Sequence, residues 1–202
     1  MAFFAAGCAN MHLESSGFLS DFERLEPAPE LQVAFIPDEV RWWQEDGLDW
    51  SRYSTICVAP VEWRPVGKRA HRVSAAAAER LCQDFHRVLS EHLADDVVET
   101  PGPRSVTVRA AITDVATSNV PLNVVALIVL FPIDMGGIRS EIEVRDSTTG
   151  ERLAAMSAYR EGTPFLLLEC FSRFGHARHA MKKWAQVLRQ AMSEVKIHQV
   201  QS

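Results

Sequence analysis

Cys8 is the residue whose chemistry the sequence specifies most narrowly. It ends the run Phe3-Phe4-Ala5-Ala6-Gly7-Cys8, in which small residues precede a cysteine at the close of an apolar N-terminus. Such a run is typical of the processing signal of a bacterial lipoprotein, which is cut before the cysteine. The expected products are a diacylglycerol on the Cys8 thiol and an acyl chain on the new amino group, which together anchor a chain to a bilayer. We therefore predict lipidation at Cys8.

A pair of glutamates has a spacing that could support acid–base chemistry. Glu141 and Glu143 belong to a strand-like alternation, so their carboxylates would project from one strand face about 6.6 Å apart and could act as a general acid and a general base. Arg139 and Arg145 flank them. Alternating charges on a solvated sheet face explain the same pattern, and this second interpretation is the favoured one.

Histidines and cysteines define no further site. His176 and His179 are three residues apart, a spacing that can bind a metal, but no third ligand is evident, so surface histidines are the favoured interpretation. Cys57, Cys82 and Cys170 are widely spaced, which favours buried free thiols and leaves a single oxidised pair open. The chain has no G-x-S-x-G, P-loop or G-x-G-x-x-G motif. We predict no metal, no cofactor and no catalytic residue.

Charge and length limit the class of protein. The 202 residues include 21 basic and 26 acidic side chains, a formal net charge of −5, with no basic block. This balance disfavours a nucleic-acid partner.

The length suits one domain of about 150 residues behind a leader and a tether. We expect a truncated signal remnant at 1–7, the lipidated Cys8 and a flexible tether at 8–25, an extended arm packed on the domain at 26–53, and a single α/β domain at 54–198. Within the arm, Trp42, Trp43 and Trp50 would cover a core edge and keep their N–H groups in water.

Periodicity in the domain predicts its fold. A β-branched run at 54–61 predicts a strand buried on both faces, and an apolar stripe behind the possible N-cap Ser74 predicts a helix to about Leu93. Alternation over 106–113 predicts a half-buried strand. Alternation over 138–145, a turn at 146–150 and a partner at 153–159 predict a hairpin. A stripe over 177–195 predicts a second long helix. The fold class is α/β (α+β), a two-layer sandwich of order β-α-β-β-β-α, with a mixed, roughly four-stranded sheet and two long helices on one face.

Residues 120–133 form the most apolar stretch and lie where a polar connection is expected. The stretch is shorter than the about 20 residues that a helix needs to cross a bilayer, and Pro121 and Pro132 bound it. Exposing it in a monomer would cost on the order of 10 kcal/mol, so it requires a partner surface. That surface is the core of the domain, as an extra strand or a folded loop, or an interface with an envelope protein or lipid. The candidate interface residues are Leu122, Val125, Leu127, Ile128, Leu130 and Phe131.

Five motifs, taken in order, resemble the bacterial lipoprotein family catalogued as domain of unknown function 3313. They are Ser16-Gly17-Phe18-Leu19-Ser20-Asp21-Phe22, Leu48-Asp49-Trp50-Ser51-Arg52-Tyr53, Ala110-Ala111-Ile112-Thr113-Asp114-Val115, Asp146-Ser147-Thr148-Thr149-Gly150-Glu151, and Gly175-His176-Ala177 with Trp184-Ala185. The resemblance spans nearly the whole mature chain. It implies an envelope lipoprotein of undefined biochemical role and carries over only the lipidated cysteine, Cys8. A more distant fold analogy is to small lipoproteins that assist envelope transporters or activate cell-wall synthases.

These observations predict a non-enzymatic, lipid-anchored module that binds a protein or lipid of the envelope, with its oligomeric state left open. By the sorting rule known for such lipoproteins, Ala9 after the cysteine implies the periplasmic side of the outer membrane, and the inner membrane is the alternative. Two other classes stay open. One is a periplasmic hydrolase that uses Glu141 and Glu143, and the other is a cytosolic protein with an accidental lipobox-like cysteine.

Overall fold

The protein, analysed as a computed structural model, is described for residues 15–28, 38–66, 72–93, 97–116, 137–161 and 174–198. Two long helices are present, α1 at Ala75–His92 and α2 at Gly175–His198. The described strands are β1 at Glu26–Pro27, β2 at Asp38–Gln44, β3 at Thr55–Val58, β4 at Glu62–Trp63, β5 at Ser105–Ala116, β6 at Gly137–Asp146 and β7 at Arg152–Glu161. Short 3-10 helices lie at Phe22–Arg24 and Trp50–Arg52.

The described strands form one mixed sheet in the order β1-β2-β7-β6-β5-β3, and β4 pairs with β5 farther along. Strands β3 and β4 run parallel to β5, and the other pairings are antiparallel. The predicted α+β class is confirmed. The sheet is larger than the predicted four strands because β2, within the expected extended arm, pairs with β7 along its whole length, and because β1 and β4 are too short to produce a periodic signal.

Both helices pack on one face of the sheet. Helix α1 begins after Ser74, whose hydroxyl accepts a hydrogen bond from the Ala77 N–H at 3.4 Å, so the predicted N-cap is confirmed. The main core joins the apolar stripes of α1 and α2 to alternate residues of β5, β6 and β7. At its centre the ring of Phe85 lies 6.3 Å from that of Trp184. The two helices and the sheet therefore form the predicted two layers.

The hairpin of β6 and β7 turns where the sequence predicts. The Asp146 carboxylate accepts hydrogen bonds from the N–H groups of Thr148 at 2.7 Å and Thr149 at 2.9 Å. Gly150 has a φ of +74°, a left-handed conformation that glycine adopts without steric cost. Asp and Gly thus supply the geometry of this turn, and the register that follows sets which side chains of β6 face each side of the sheet.

The other face of the sheet is covered by residues 15–25, which we call the strap. Phe18, Leu19, Phe22 and Leu25 are buried there in a second apolar cluster that includes Ala111, Ala155 and Tyr159. The prediction of a flexible tether at 8–25 is therefore wrong for residues 15–25. The prediction that β5 is half-buried is also wrong, because the strap covers the face that the alternation assigned to solvent.

The tryptophans of the expected arm lie on both faces of the sheet. Trp42 and Trp43 follow each other on β2 and pack against the main core and the strap cluster respectively, because successive residues of a strand point to opposite faces. Trp50 is only 2% exposed, and its indole N–H has no hydrogen-bond partner in the described part of the chain. The prediction of a wet N–H is therefore wrong for Trp50, which the 3-10 helix places inside the main core.

Candidate functional site

Glu141 lies under the strap and receives its hydrogen bonds from it. Its carboxylate accepts bonds from the Ser16 N–H at 2.9 Å, the Ser16 hydroxyl at 2.8 Å and the Leu19 N–H at 3.3 Å. The Glu141 residue is 0% exposed. A buried carboxylate is stable only when such donors replace its water. We call these three contacts the Glu141 clasp, because they fasten the first described turn of the chain to the middle of β6.

Glu143 is equally buried, but arginines surround it. The Arg109 guanidinium donates to Glu143 Oε1 at 2.6 Å, and the Arg145 guanidinium donates to Oε2 at 2.9 Å. Arg109 also reaches Glu62 at 3.0 Å and places its guanidinium carbon 5.1 Å from the centre of the Phe18 ring. Since Glu141 and Glu143 are both 0% exposed, the prediction of a solvated charged face is wrong. Their oxygens are occupied by protein donors, an arrangement that stabilises the strap.

The remainder of the strap is held by ionic and aromatic contacts. Asp21 accepts a hydrogen bond from Arg152. The ring of Trp43 contacts two guanidinium groups, with carbon-to-centroid distances of 4.3 Å for Arg24 and 5.1 Å for Arg152. Because one guanidinium comes from the strap and the other from β7, Trp43 links the strap to the edge of the sheet.

The predicted histidine pair lies at the start of α2. His176 is 4% exposed and His179 is partly buried. The interpretation of both as surface histidines is therefore wrong for His176, since the first turn of α2 packs its ring into the domain. No group of three or more histidine, cysteine or acidic side chains in the described ranges is arranged to hold a metal ion.

Two of the predicted free thiols are described. Cys57 and Cys82 are both free and partly buried. Burial raises the pKa of the Cys82 thiol to about 11, which keeps it protonated and poorly nucleophilic at neutral pH. Cys170 lies outside the described residues, so its pairing stays open.

Two clefts of about 310 Å³ each open beside α1. The first lies between the beginnings of α1 and α2 and is lined by Ser74, Ala76, Ala77, Arg80, Leu81, Asp84, Phe174 and Arg178. Burial disfavours the Asp84 carboxylate, but hydrogen bonds from Arg178 and Arg87 outweigh it and hold the pKa of Asp84 below its usual range. The second is lined by Pro60, Val61, Glu79, Cys82, Gln83 and His86. Glu141 and Glu143 line neither cleft.

The remaining predicted site residues lie outside the described part of the chain. These are Cys8 and the apolar set Leu122, Val125, Leu127, Ile128, Leu130 and Phe131. Both ends of the connection that carries the apolar set are described. Ala116 ends β5, Gly137 begins β6, and the two residues pair with each other, so the connection leaves and re-enters the sheet at one end. No described helix is both long enough and apolar enough to cross a membrane.

The comparison with protein families assigns the chain to a family. The family described as "Protein of unknown function (DUF3313)" matches residues 14–188, and the chain belongs to this family. The match begins two residues before Ser16, so the strap and its clasp lie inside the part that the family shares. Sequence reasoning missed the strap as a structural element. The motif Ser16–Phe22, which is part of the resemblance to the family, contains the residues that hold the strap to the sheet.

Curated relatives and solved structures give further similarities. "Uncharacterized lipoprotein YdcL" of Escherichia coli K12 is 29% identical over 118 residues, which cover 56% of this chain and 51% of that protein. The same values hold for YdcL of Escherichia coli O157:H7. The chain thus spans about half the length of the curated relatives it matches. Two structures of the PelC dodecamer from Paraburkholderia phytofirmans share 12% and 13% identity with it, each at a TM-score of 0.46 over 75% of this chain and 96% of PelC.

Proposed function

We propose that this protein is a lipoprotein of the bacterial cell envelope, anchored through a diacylglycerol thioether on Cys8. The run Phe3–Cys8, with small residues directly before the cysteine, carries the proposal. The name of the YdcL relatives supports it, since both are called lipoproteins.

Lipidation is tested with a thiol variant in the native cell. Cys8→Ser should abolish incorporation of an alkyne-labelled fatty acid into the protein, because the thioether cannot form and the acylation that follows depends on it. Cys57→Ser is the matched control and should keep full labelling, since it also removes one thiol. Equal labelling of Cys8→Ser and the wild type would refute the anchor.

The finer proposal is that the anchor lies on the periplasmic side of the outer membrane. It is supported by Ala9, which follows the cysteine where an inner-membrane lipoprotein would carry aspartate. We expect Ala9→Asp to move most of the protein from the outer-membrane to the inner-membrane fraction of a density gradient. Ala9→Ser should leave the distribution unchanged. If Ala9→Asp and the wild type sediment in the same fraction, the outer-membrane assignment is wrong.

We further propose that the module binds rather than catalyses. The carboxylates with the most suggestive spacing support this, since Glu141 is occupied by strap donors and Glu143 by Arg109 and Arg145. A general acid or base must reach a substrate proton directly or through one water. These buried oxygens instead accept hydrogen bonds from other parts of the fold. The half-buried Cys82 thiol is likewise poorly suited to attack a substrate.

The candidate binding residues belong to a connection that leaves the described sheet at one end. Three connections begin or end there, since Asp38 pairs with Arg160 and Gly137 pairs with both Ala116 and Glu161. The connections are residues 29–37, 117–136 and 162–173, and each contains an apolar run, respectively Val33–Ile36, Val124–Phe131 and Phe165–Leu168. Apolar runs in three connections that leave the sheet at one end support an interface with an envelope protein or lipid.

The interface is tested by introducing charge into its apolar sequence. We expect Leu127→Asp with Leu130→Asp to reduce recovery of the partner at least tenfold in a crosslinking pull-down from intact envelopes. Gln83→Asp with Gln186→Asp, on exposed helix positions, is the matched control and should recover the partner normally. Thermal unfolding must show that both double variants are folded. Identical partner profiles for the wild type and the Leu127/Leu130 variant would end the proposal.

A further inference from the structure

The Glu141 clasp fixes the position of Ser16, which follows the proposed anchor Cys8 by eight residues. Ser16 is bonded to Glu141, the fifth residue of the ten-residue strand β6. In the sheet, β6 has β5 and β3 on one side and β7, β2 and β1 on the other. Ser16 therefore lies over the middle of the sheet, on the face opposite α1 and α2.

Covalent geometry limits how far this point can lie from the anchor. Eight peptide units separate Cys8 from Ser16, and at full extension they span at most about 28 Å. The distance from the strap layer to the outer surface of the helices is about 25 Å, taking about 10 Å between adjacent layers and about 5 Å for the helix radius. The reach of the segment is therefore close to the thickness of the domain.

These lengths distinguish a domain that lies with its helix face on the bilayer from one that lies with its strap face on it. With the helices against the membrane, the chain from Ser16 must pass at least two strands sideways, about 10 Å, before it descends about 25 Å. This route is longer than the segment can span while the clasp holds. With the strap against the membrane, Ser16 lies near the anchor and the segment is not stretched.

We propose that the clasp orients the anchored domain, with the strap facing the bilayer and the α1 and α2 layer turned away from it. This inference rests on the proposed lipidation of Cys8. The lipid bilayer is the surface that the strap faces, and the exposed side of the helices points away from it. The strap thus acts as a positioning element, in addition to covering the buried carboxylates.

The orientation is tested with fluorescent labels on the lipidated protein in vesicles that contain nitroxide-headgroup lipid. Labels are attached at Glu23→Cys on the strap and at Gln83→Cys on α1, two exposed positions, after replacing Cys57, Cys82 and Cys170 with serine. We expect at least threefold stronger quenching at position 23 than at position 83. Equal quenching, or stronger quenching at position 83, would overturn the orientation.

A lengthened tether tests whether reach is the cause. A 20-residue Gly/Ser insertion between Asn10 and Met11 should reduce the difference in quenching to less than half, because the segment then exceeds every path around the domain. An unchanged difference would overturn the argument from reach. Only vesicle-bound protein is measured after flotation. A lipidated protein that floats without a quenching difference contradicts the orientation alone, whereas protein that neither floats nor carries lipid contradicts the anchor itself.

Discussion

Replacing Glu141 with alanine is expected to lower the free energy of unfolding by about 3 kcal/mol and to release the strap from the sheet. The substitution removes the acceptor of the Ser16 N–H, the Ser16 hydroxyl and the Leu19 N–H. Hydrogen bonds to a charged group contribute about 1.5–3 kcal/mol each, and the loss stays below their sum because released donors regain water. Urea unfolding measures the change in stability, and amide hydrogen exchange over residues 16–25 measures the release.

Glu23→Ala is the matched control for this experiment. Glu23 is an exposed carboxylate within the same strap, so its removal should change the free energy of unfolding by less than about 0.5 kcal/mol. The Leu19 amide should exchange faster in Glu141→Ala than in the wild type. Equal protection of this amide from hydrogen exchange would show that the clasp does not hold the strap.

Phe85→Ala is expected to have a comparable or larger effect, about 3–5 kcal/mol, by a different mechanism. The Phe85 side chain is fully buried and packs beside Trp184, so truncation opens a cavity where α1 meets α2. Denaturant unfolding measures the loss. Gln83→Ala, exposed on the same helix, should be nearly neutral. A loss below about 1 kcal/mol for Phe85→Ala would contradict the described packing of the two helices.

The parts of the fold that local signals determine could be predicted from the sequence. Ser74 supplies the cap of α1, an apolar stripe defines its buried side, and the Asp146–Gly150 segment closes the hairpin. Each depends on residues within a few positions of one another. These elements specify a two-layer α+β domain because a helix stripe and a sheet face must each be covered.

The strap could not be predicted in this way. Its contacts join residues more than 120 positions apart, as Ser16 and Leu19 do with Glu141. A rule that assigns alternating charged residues to solvent fails when a distant segment supplies hydrogen bonds to one of those charges. Glu143 was placed in solvent for the same reason, although Arg109 and Arg145 compensate its burial.

The edge strands of the sheet could also not be predicted from local sequence patterns. Strand β2 has the sequence Asp38–Gln44, in which charged residues and tryptophans share the strand, so its alternation is weak. Its pairing with β7 is what makes it part of the sheet. Trp50 and His176 were expected near solvent from their residue types alone, and both are buried because of how the neighbouring elements pack.

The strap connects the proposed anchor to the stability of the domain. In a lipoprotein whose tether joined the fold at a loosely held terminus, the domain could turn freely on its anchor. Here the first described turn is bonded to a buried carboxylate in the middle of the sheet. The family match, which begins at residue 14, includes this feature. Residues 15–25 are therefore part of the domain, and Cys8 is the proposed site of its lipid anchor.

Mass spectrometry of the N-terminal peptide from protein isolated from native membranes tests the anchor most directly. We expect a peptide that begins at Cys8 and carries a diacylglycerol on sulfur and an acyl chain on nitrogen. A peptide in which Cys8 has an unmodified thiol, recovered from protein that stays in the aqueous fraction, would contradict it.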